Sequence, residues 1–156
     1  KDLRIVSPRD GWPNPKAVDM SKGAKQVIYD AKIYDTVADA CHDVEHLYAT
    51  TARPRDMVKP VFTPKKTAQK VFDGFKNNDN CAIMFGPERT GLSNDEITMA
   101  DAIVSIPVSS EYASLNLAQA VSVLCYEYFS LIDGTKDEVL DFGKSDAATK
   151  LEISHL

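Results

Sequence analysis

The sequence predicts an α/β fold, a mostly parallel sheet flanked by helices, and three observations carry that expectation. Short strand-like apolar runs alternate with helix-like segments along the chain, the order that builds a parallel sheet with helices on both faces. Helix-opening signals at Asn14-Pro15, Thr36, Thr63-Pro64 and Ser93 recur between those runs. "CAIMF", residues 81–85, is a continuous apolar run bounded by turn residues, as a buried strand requires.

In chain order, "LRIVS" (3–7) reads as a strand and is followed by a segment opened by Asn14-Pro15. Trp12, between Gly11 and Pro13, is expected to pack against the neighbouring helix. "KIY" (32–34) precedes a segment opened by Thr36, and "HLYAT" (46–50) precedes a loop. His42 and His46 are four apart, but the chain passes from helix to strand between them, so no metal site is expected. Thr63 is an N-cap with Pro64 at the first helical position, and Ala68, Val71, Phe72 and Phe75 then recur on one face. Ser93 and Glu96 form a capping box that opens a short helix before the strand "AIVSIP" (102–107). A final helix is expected from Ser114 to Ile132. Its apolar residues, among them Leu117, Val121, Leu124, Tyr128 and Ile132, go nearly all round the wheel, so it must be covered on two sides: either it is buried inside the domain or its outer face meets another subunit, the second being expected in a chain this small.

A chain of 156 residues suits one domain, expected over 1–132, with an extension over 133–156 whose "ATKLEISHL" has helical character. No apolar run is long enough to cross a bilayer, so no membrane partner is expected. Cys41, Cys81 and Cys125 are scattered and odd in number, which suggests neither disulfides nor zinc and fits a reducing cytoplasm. The net charge of −5 argues against indiscriminate nucleic-acid binding. Locally, though, Arg53, Arg55, Lys59, Lys65, Lys66 and Lys70 stand against Asp56 alone. That run reads as a solvated face or as a phosphate-binding patch.

Two bends draw attention as sites. "GPERTG" (86–91) follows a strand and precedes a helix, where open α/β sheets gather ligands. Gly86 and Gly91 would let main-chain groups approach a small molecule, although a plain structural turn fits the spacing as well. Neither a Gly-Lys-Ser/Thr ending nor G-x-G-x-x-G is present, which excludes the usual phosphate loops. The second bend, "IPVSSEYASLN" (106–116), repeats the plan of strand end, proline, polar loop and helix start, with Ser114 and Asn116 at the opening.

"FGPERTGLSNDEI" (85–97) and "IPVSSEYASLNLAQAVSVLCYE" (106–127) resemble the second and third signature motifs of the SpoU-type RNA 2′-O-ribose methyltransferases, in the α/β-knot (SPOUT) superfamily. "ATTARPRD" (49–56) resembles the matching loop of the bacterial branch that modifies the tRNA anticodon loop. The resemblance implies a deep C-terminal trefoil knot, a homodimer, and S-adenosyl-L-methionine held by main-chain groups around Thr51, Ala52, Gly86, Glu88, Gly91, Leu92, Ile106, Val108 and Leu115. It implies methyl transfer to a ribose 2′-hydroxyl of tRNA or rRNA. Arg53 and Arg55 would grip RNA phosphate through their bidentate forks, with Lys65 and Lys66 nearby, and Ser114 and Asn116 would orient the hydroxyl or the helix start. Arg89 would touch RNA or pair with Glu88 or Asp95. The family's first motif, a strand and a helix bearing asparagine, glycine and a catalytic arginine, has no match and would precede Lys1. The chain is therefore expected to lack its start. The alternative is a non-catalytic knot-fold module for RNA binding or dimerisation.

Overall fold

The computed structural model describes residues 2–52, 58–109, 111 and 115–134. Its strands are β1 (Arg4–Val6), β2 (Lys32–Tyr34), β3 (His46–Thr50), β4 (Val61–Phe62), β5 (Cys81–Met84) and β6 (Ala102–Val104). Its helices are α1 (Pro15–Met20), α2 (Lys25–Tyr29), α3 (Val37–Ala40), α4 (Pro64–Asn77), α5 (Asn94–Met99) and α6 (Leu117–Ile132), with a 3₁₀ turn at Lys22–Ala24. The expected alternation is present.

Local chemistry explains where the helices start. The side chains of Asn14, Thr36 and Thr63 accept from the backbone N–H of Lys16, Asp39 and Lys66, and Pro15 and Pro64 occupy first-turn positions without wasting a donor. Ser93 and Glu96 complete the capping box: Ser93 N donates to Glu96 Oε2 at 2.6 Å and Glu96 N to Ser93 Oγ at 3.2 Å. Helix α4 ends at Asn78 in the left-handed region, φ 65°, which asparagine tolerates better than most residues. Helix α6 starts at Leu117, three residues later than expected from Ser114, because Asn116 is its N-cap.

Every strand pairing is parallel, but the strands form two sheets where one was expected. A four-stranded sheet has the order β4-β6-β3-β5, and a two-stranded sheet pairs β1 with β2. In the larger sheet the period of two sorts side chains cleanly. Leu47, Ala49 and Ile103 face α5, packing with Leu92, Ile97 and Ala100. Tyr48, Ala102 and Val104 face the other way, packing with Leu124 of α6 and with Val71 of α4. Both faces are covered, as an all-parallel sheet needs. Strand β4 has no periodic signal of its own. Its pairing with β6, extended by Ile103 N to Pro60 O and Ser105 N to Phe62 O at 2.9 Å each, makes it a strand.

The smaller sheet is tied to the turn after α3. The Arg4 guanidinium forks onto Asp43, with Nη2 to Oδ2 at 2.9 Å, and Nη1 also donates to Ala40 O at 2.6 Å. Trp12 packs as expected, its Nε1 donating to Ile28 O at the end of α2 at 3.0 Å. His42 lies in the turn after α3 and His46 opens β3, where its Nε2 is 3.5 Å from Asp79.

Candidate functional site

The strand order places the carboxyl ends of β5, β3 and β6 side by side. From them run the 85–92 bend, the 51–60 crossover and the 105–116 segment, so the three stretches singled out in the sequence emerge from neighbouring strands. In the strand order β6 lies between β3 and β4 and pairs with both.

The 85–92 bend closes on itself. Gly91 N donates to Pro87 O at 2.7 Å, and Gly91 adopts φ +68°, a conformation glycine takes without steric cost. At Gly86 the constraint is space. A Cβ there would lie 2.3 Å from Leu92 N and 2.4 Å from Gly91 C, both backbone atoms. Leu92 then drops its side chain into the core, so only its main chain is placed to meet a ligand. Beside the bend runs a groove of about 550 Å³ lined by Pro87, Thr90, Gly91, Leu92 and the first residues of α5. It includes Gly91 and Leu92 of the expected cofactor residues and none from the loops after β3 and β6.

Asn116 joins the two signature bends. Its Oδ1 accepts from Ala118 N at 2.8 Å, capping α6, while its Nδ2 donates to Glu88 Oε1 at 2.5 Å. One amide thus fixes the start of α6 and the tip of the glycine bend. The position that looks awkward for a helix interior is favourable at an N-cap. Of the two readings of Arg89, the ion pair with Glu88 or Asp95 is not formed: Arg89 is exposed and, among the described residues, has no ion pair, while Glu88 accepts from Asn116.

Around this joint, Thr51 N donates to Val104 O at 3.1 Å, Ala52 and Val108 are exposed, and Ile106 and Leu115 are half-buried. Arg53, Arg55 and Ser114 lie outside the described residues. Lys65 and Lys66 are exposed in the first turn of α4, just past the carboxyl end of β4 and thus on the same rim of the sheet. Two members of the basic run point elsewhere. Lys59 donates to backbone carbonyls at the end of α5. Lys70 lines a cavity of about 280 Å³ with His46, Tyr48 and Asp101, at the amino ends of β3 and β6. The Glu88–Asn116 and Lys59 contacts were not read from the sequence. Asparagine ahead of an apolar helical run signals a cap for Asn116, whereas nothing local marks Lys59.

The SpoU rRNA Methylase family profile matches residues 1–126. The chain is 34% identical over 143 residues to the uncharacterized tRNA/rRNA methyltransferase LasT of Escherichia coli, covering 88% of this chain and 62% of LasT. It is 32% identical over 151 residues to the tRNA (cytidine-2′-O-)-methyltransferase TrmJ of Methanocaldococcus jannaschii, covering 95% of this chain and 63% of that protein. Among solved structures, TrmJ from Z. mobilis ZM4 superposes with a TM-score of 0.75 at 47% identity, over 81% of this chain and 55% of that one. The chain thus spans a little over three-fifths of the length of the first two relatives.

Proposed function

The chain belongs to the SpoU rRNA methylase family, and from that premise we propose that it serves S-adenosyl-L-methionine-dependent methyl transfer to a ribose 2′-hydroxyl of tRNA. The observation that carries this reading is the Asn116–Glu88 hydrogen bond, which brings the two signature bends into one constellation. The residues present fit the cofactor by the chemistry of their donor set. Three adjacent bends offer main-chain groups at strand ends, and Gly86 and Gly91 keep the middle one free of side chains where the backbone turns back. When bound, the cofactor supplies a methyl group already activated on a sulfonium.

The chain's own residues then hold the reacting oxygen in line. Such positioning can contribute about 7–11 kcal/mol, so it is the larger part of the task. Asn116 keeps the start of α6 and the Glu88 bend in fixed relation, and Gly86 and Gly91 give that bend its shape. Lys65, Lys66 and exposed Arg89 face the RNA, together with Arg53 and Arg55. Ser114 orients the hydroxyl beside Asn116.

The same reading includes a homodimer through the outer face of α6. Tyr126 and Phe129 are 70% and 54% exposed there, on a helix whose other face is packed against α4 and the sheet. It includes the family's knot, supported by the crossover whose two feet both bond to β6. No helix among the described residues is long and apolar enough to cross a membrane, and a cytoplasmic location is part of the proposal.

The test is incubation of the full-length protein with tritiated methyl donor and total tRNA, followed by nuclease digestion. Label recovered in 2′-O-methyl nucleosides is the expected result. RNA retained on the protein with no label in ribose would overturn methyl transfer and leave the non-catalytic module.

A further inference from the structure

We propose that the cavity at the amino ends of β3 and β6 is a second ligand site, one that takes a small aliphatic polyamine cation. It lies at the opposite rim of the four-stranded sheet from the 85–92 bend, so it does not rest on the methyl-transfer reading. The cavity measures about 280 Å³ and is lined by Tyr48 and Ala102 from the strands and by Gly74 and Asn77 from the last turn of α4. The group that calls for a ligand is Tyr48. It is 5% exposed, its ring meets that of Phe62 with centroids 6.2 Å apart, and among the described residues its hydroxyl has no hydrogen-bond partner. A buried hydroxyl is costly to leave unpaired, so a polar group entering the cavity is what would satisfy it.

The walls decide the sign of the ligand. Asp73, Asp79 and Asp101 outnumber Lys70 around the cavity, and the carboxyl end of α4 adds partial negative charge. Asp73 Oδ1 accepts from Gln69 Nε2 at 2.8 Å, Asp101 Oδ2 accepts from Leu47 N at 2.7 Å, and Asp79 Oδ2 lies 3.5 Å from His46 Nε2. The second oxygen of each carboxylate is left for a donor from outside. Among the described residues, no three His, Cys, Asp or Glu side chains are grouped closely enough to hold a metal ion. Negative charge spread in this way suits an extended cation with several ammonium groups, and the Tyr48 and Phe62 rings suit the methylene chain between them. The volume falls just under the ~300 Å³ at which small-molecule pockets begin, so the chain must be short.

The experiment is calorimetry of the full-length protein with putrescine and spermidine at about 0.15 M salt, where loose counterion pairing is screened. Butane-1,4-diol serves as the uncharged match for putrescine. One saturable site for the amines and no heat from the diol are expected. Tyr48→Phe, which keeps the ring, should weaken amine binding about fivefold, the share of one hydroxyl hydrogen bond. The paired surface change Asp73→Asn with Asp101→Asn should weaken it more than about tenfold, and Lys70→Met should tighten it about twofold. No saturable heat from either amine would overturn the proposal, and so would diol uptake equal to that of putrescine. Amine binding that Tyr48→Phe leaves at the wild-type value would also overturn it, because the amines would then be counterions of the acidic rim and not occupants of the cavity. Wild-type affinity in the double variant would do so by itself, whether or not Tyr48→Phe folds.

Discussion

Among the described residues, the two groups of parallel strands differ in what fastens them. The two central strands of the four-stranded sheet, β3 and β6, are dry on both faces: Ala49 and, beneath them, Ile97 are fully buried, and Ala102 and Val104 nearly so. In the two-stranded sheet and the helices α1 and α2 between its strands, no residue is buried, and Met20, Val27, Tyr29 and Ile33 are exposed. That sheet is fastened by its ladder, by the Arg4 fork on Asp43, and by Lys32 on Asp2 at 2.7 Å. Surface ion pairs contribute little each, about 0–1 kcal/mol, whereas a buried aliphatic side chain contributes about 1.5–3 kcal/mol. The candidate site hangs entirely from the dry sheet. Under the proposed methyl transfer the site holds two reactants in line, a task that needs supports that do not shift with salt or pH, and burial supplies them.

The comparison can be broken most forcefully at the glycine bend. Gly86→Ala puts a methyl group into the Leu92 and Gly91 backbone, and a loss of more than about 4 kcal/mol is expected, read as a collapse of the urea midpoint with no cofactor uptake by calorimetry. Ile97→Ala, in the dry core beneath the bend, should cost about 2–5 kcal/mol. A cost below about 1 kcal/mol there would deny that burial holds this sheet. Asn116→Ala removes the α6 cap and the tie to Glu88. About 1 kcal/mol of stability should go, with a larger proportional loss in methyl transfer, since the bends lose their common fastening.

The smallest effect belongs to the wet sheet and depends on pH. The Arg4 guanidinium holds the Asp43 carboxyl well below the ordinary carboxylate range, down to about 2. Its contribution is therefore fully present above the unfolded value near 4 and is lost as pH falls from there towards 2. Arg4→Met should therefore lower stability slightly at neutral pH and flatten that acid limb, so that the variant and wild-type curves converge as pH falls towards 2. An Arg4→Met cost at pH 7 equal to that of Ile97→Ala would erase the distinction between the sheets.

Much of this organisation was legible in the chain. The caps at Asn14, Thr36, Thr63 and Ser93 lie within two or three residues of the N–H groups they satisfy, so local sequence sufficed to start those helices where they start. The strands "HLYAT" and "CAIMF" were legible from their apolar composition, although β5 is half-buried throughout where a buried strand was expected, because among the described residues it pairs on one side only. Strand β4 was not: two residues carry no period, and only β6 makes them a strand. The start of α6 was misplaced because Ser114 and Asn116 are both good caps, and the choice between them rests on an amide that also reaches Glu88. Lys59 was grouped with the phosphate-facing cations because charge in sequence says nothing about direction in space.

By itself, then, the sequence determined the identity and order of the main elements and the position of the two signature bends, because those depend on contacts within a few residues. Only the tertiary structure decided that the described strands pair in two groups, that Asn116 meets Glu88, and that Lys59 turns to α5. Those partners stand 28 and about 40 residues apart, and pairing at that separation is set by which strands lie side by side.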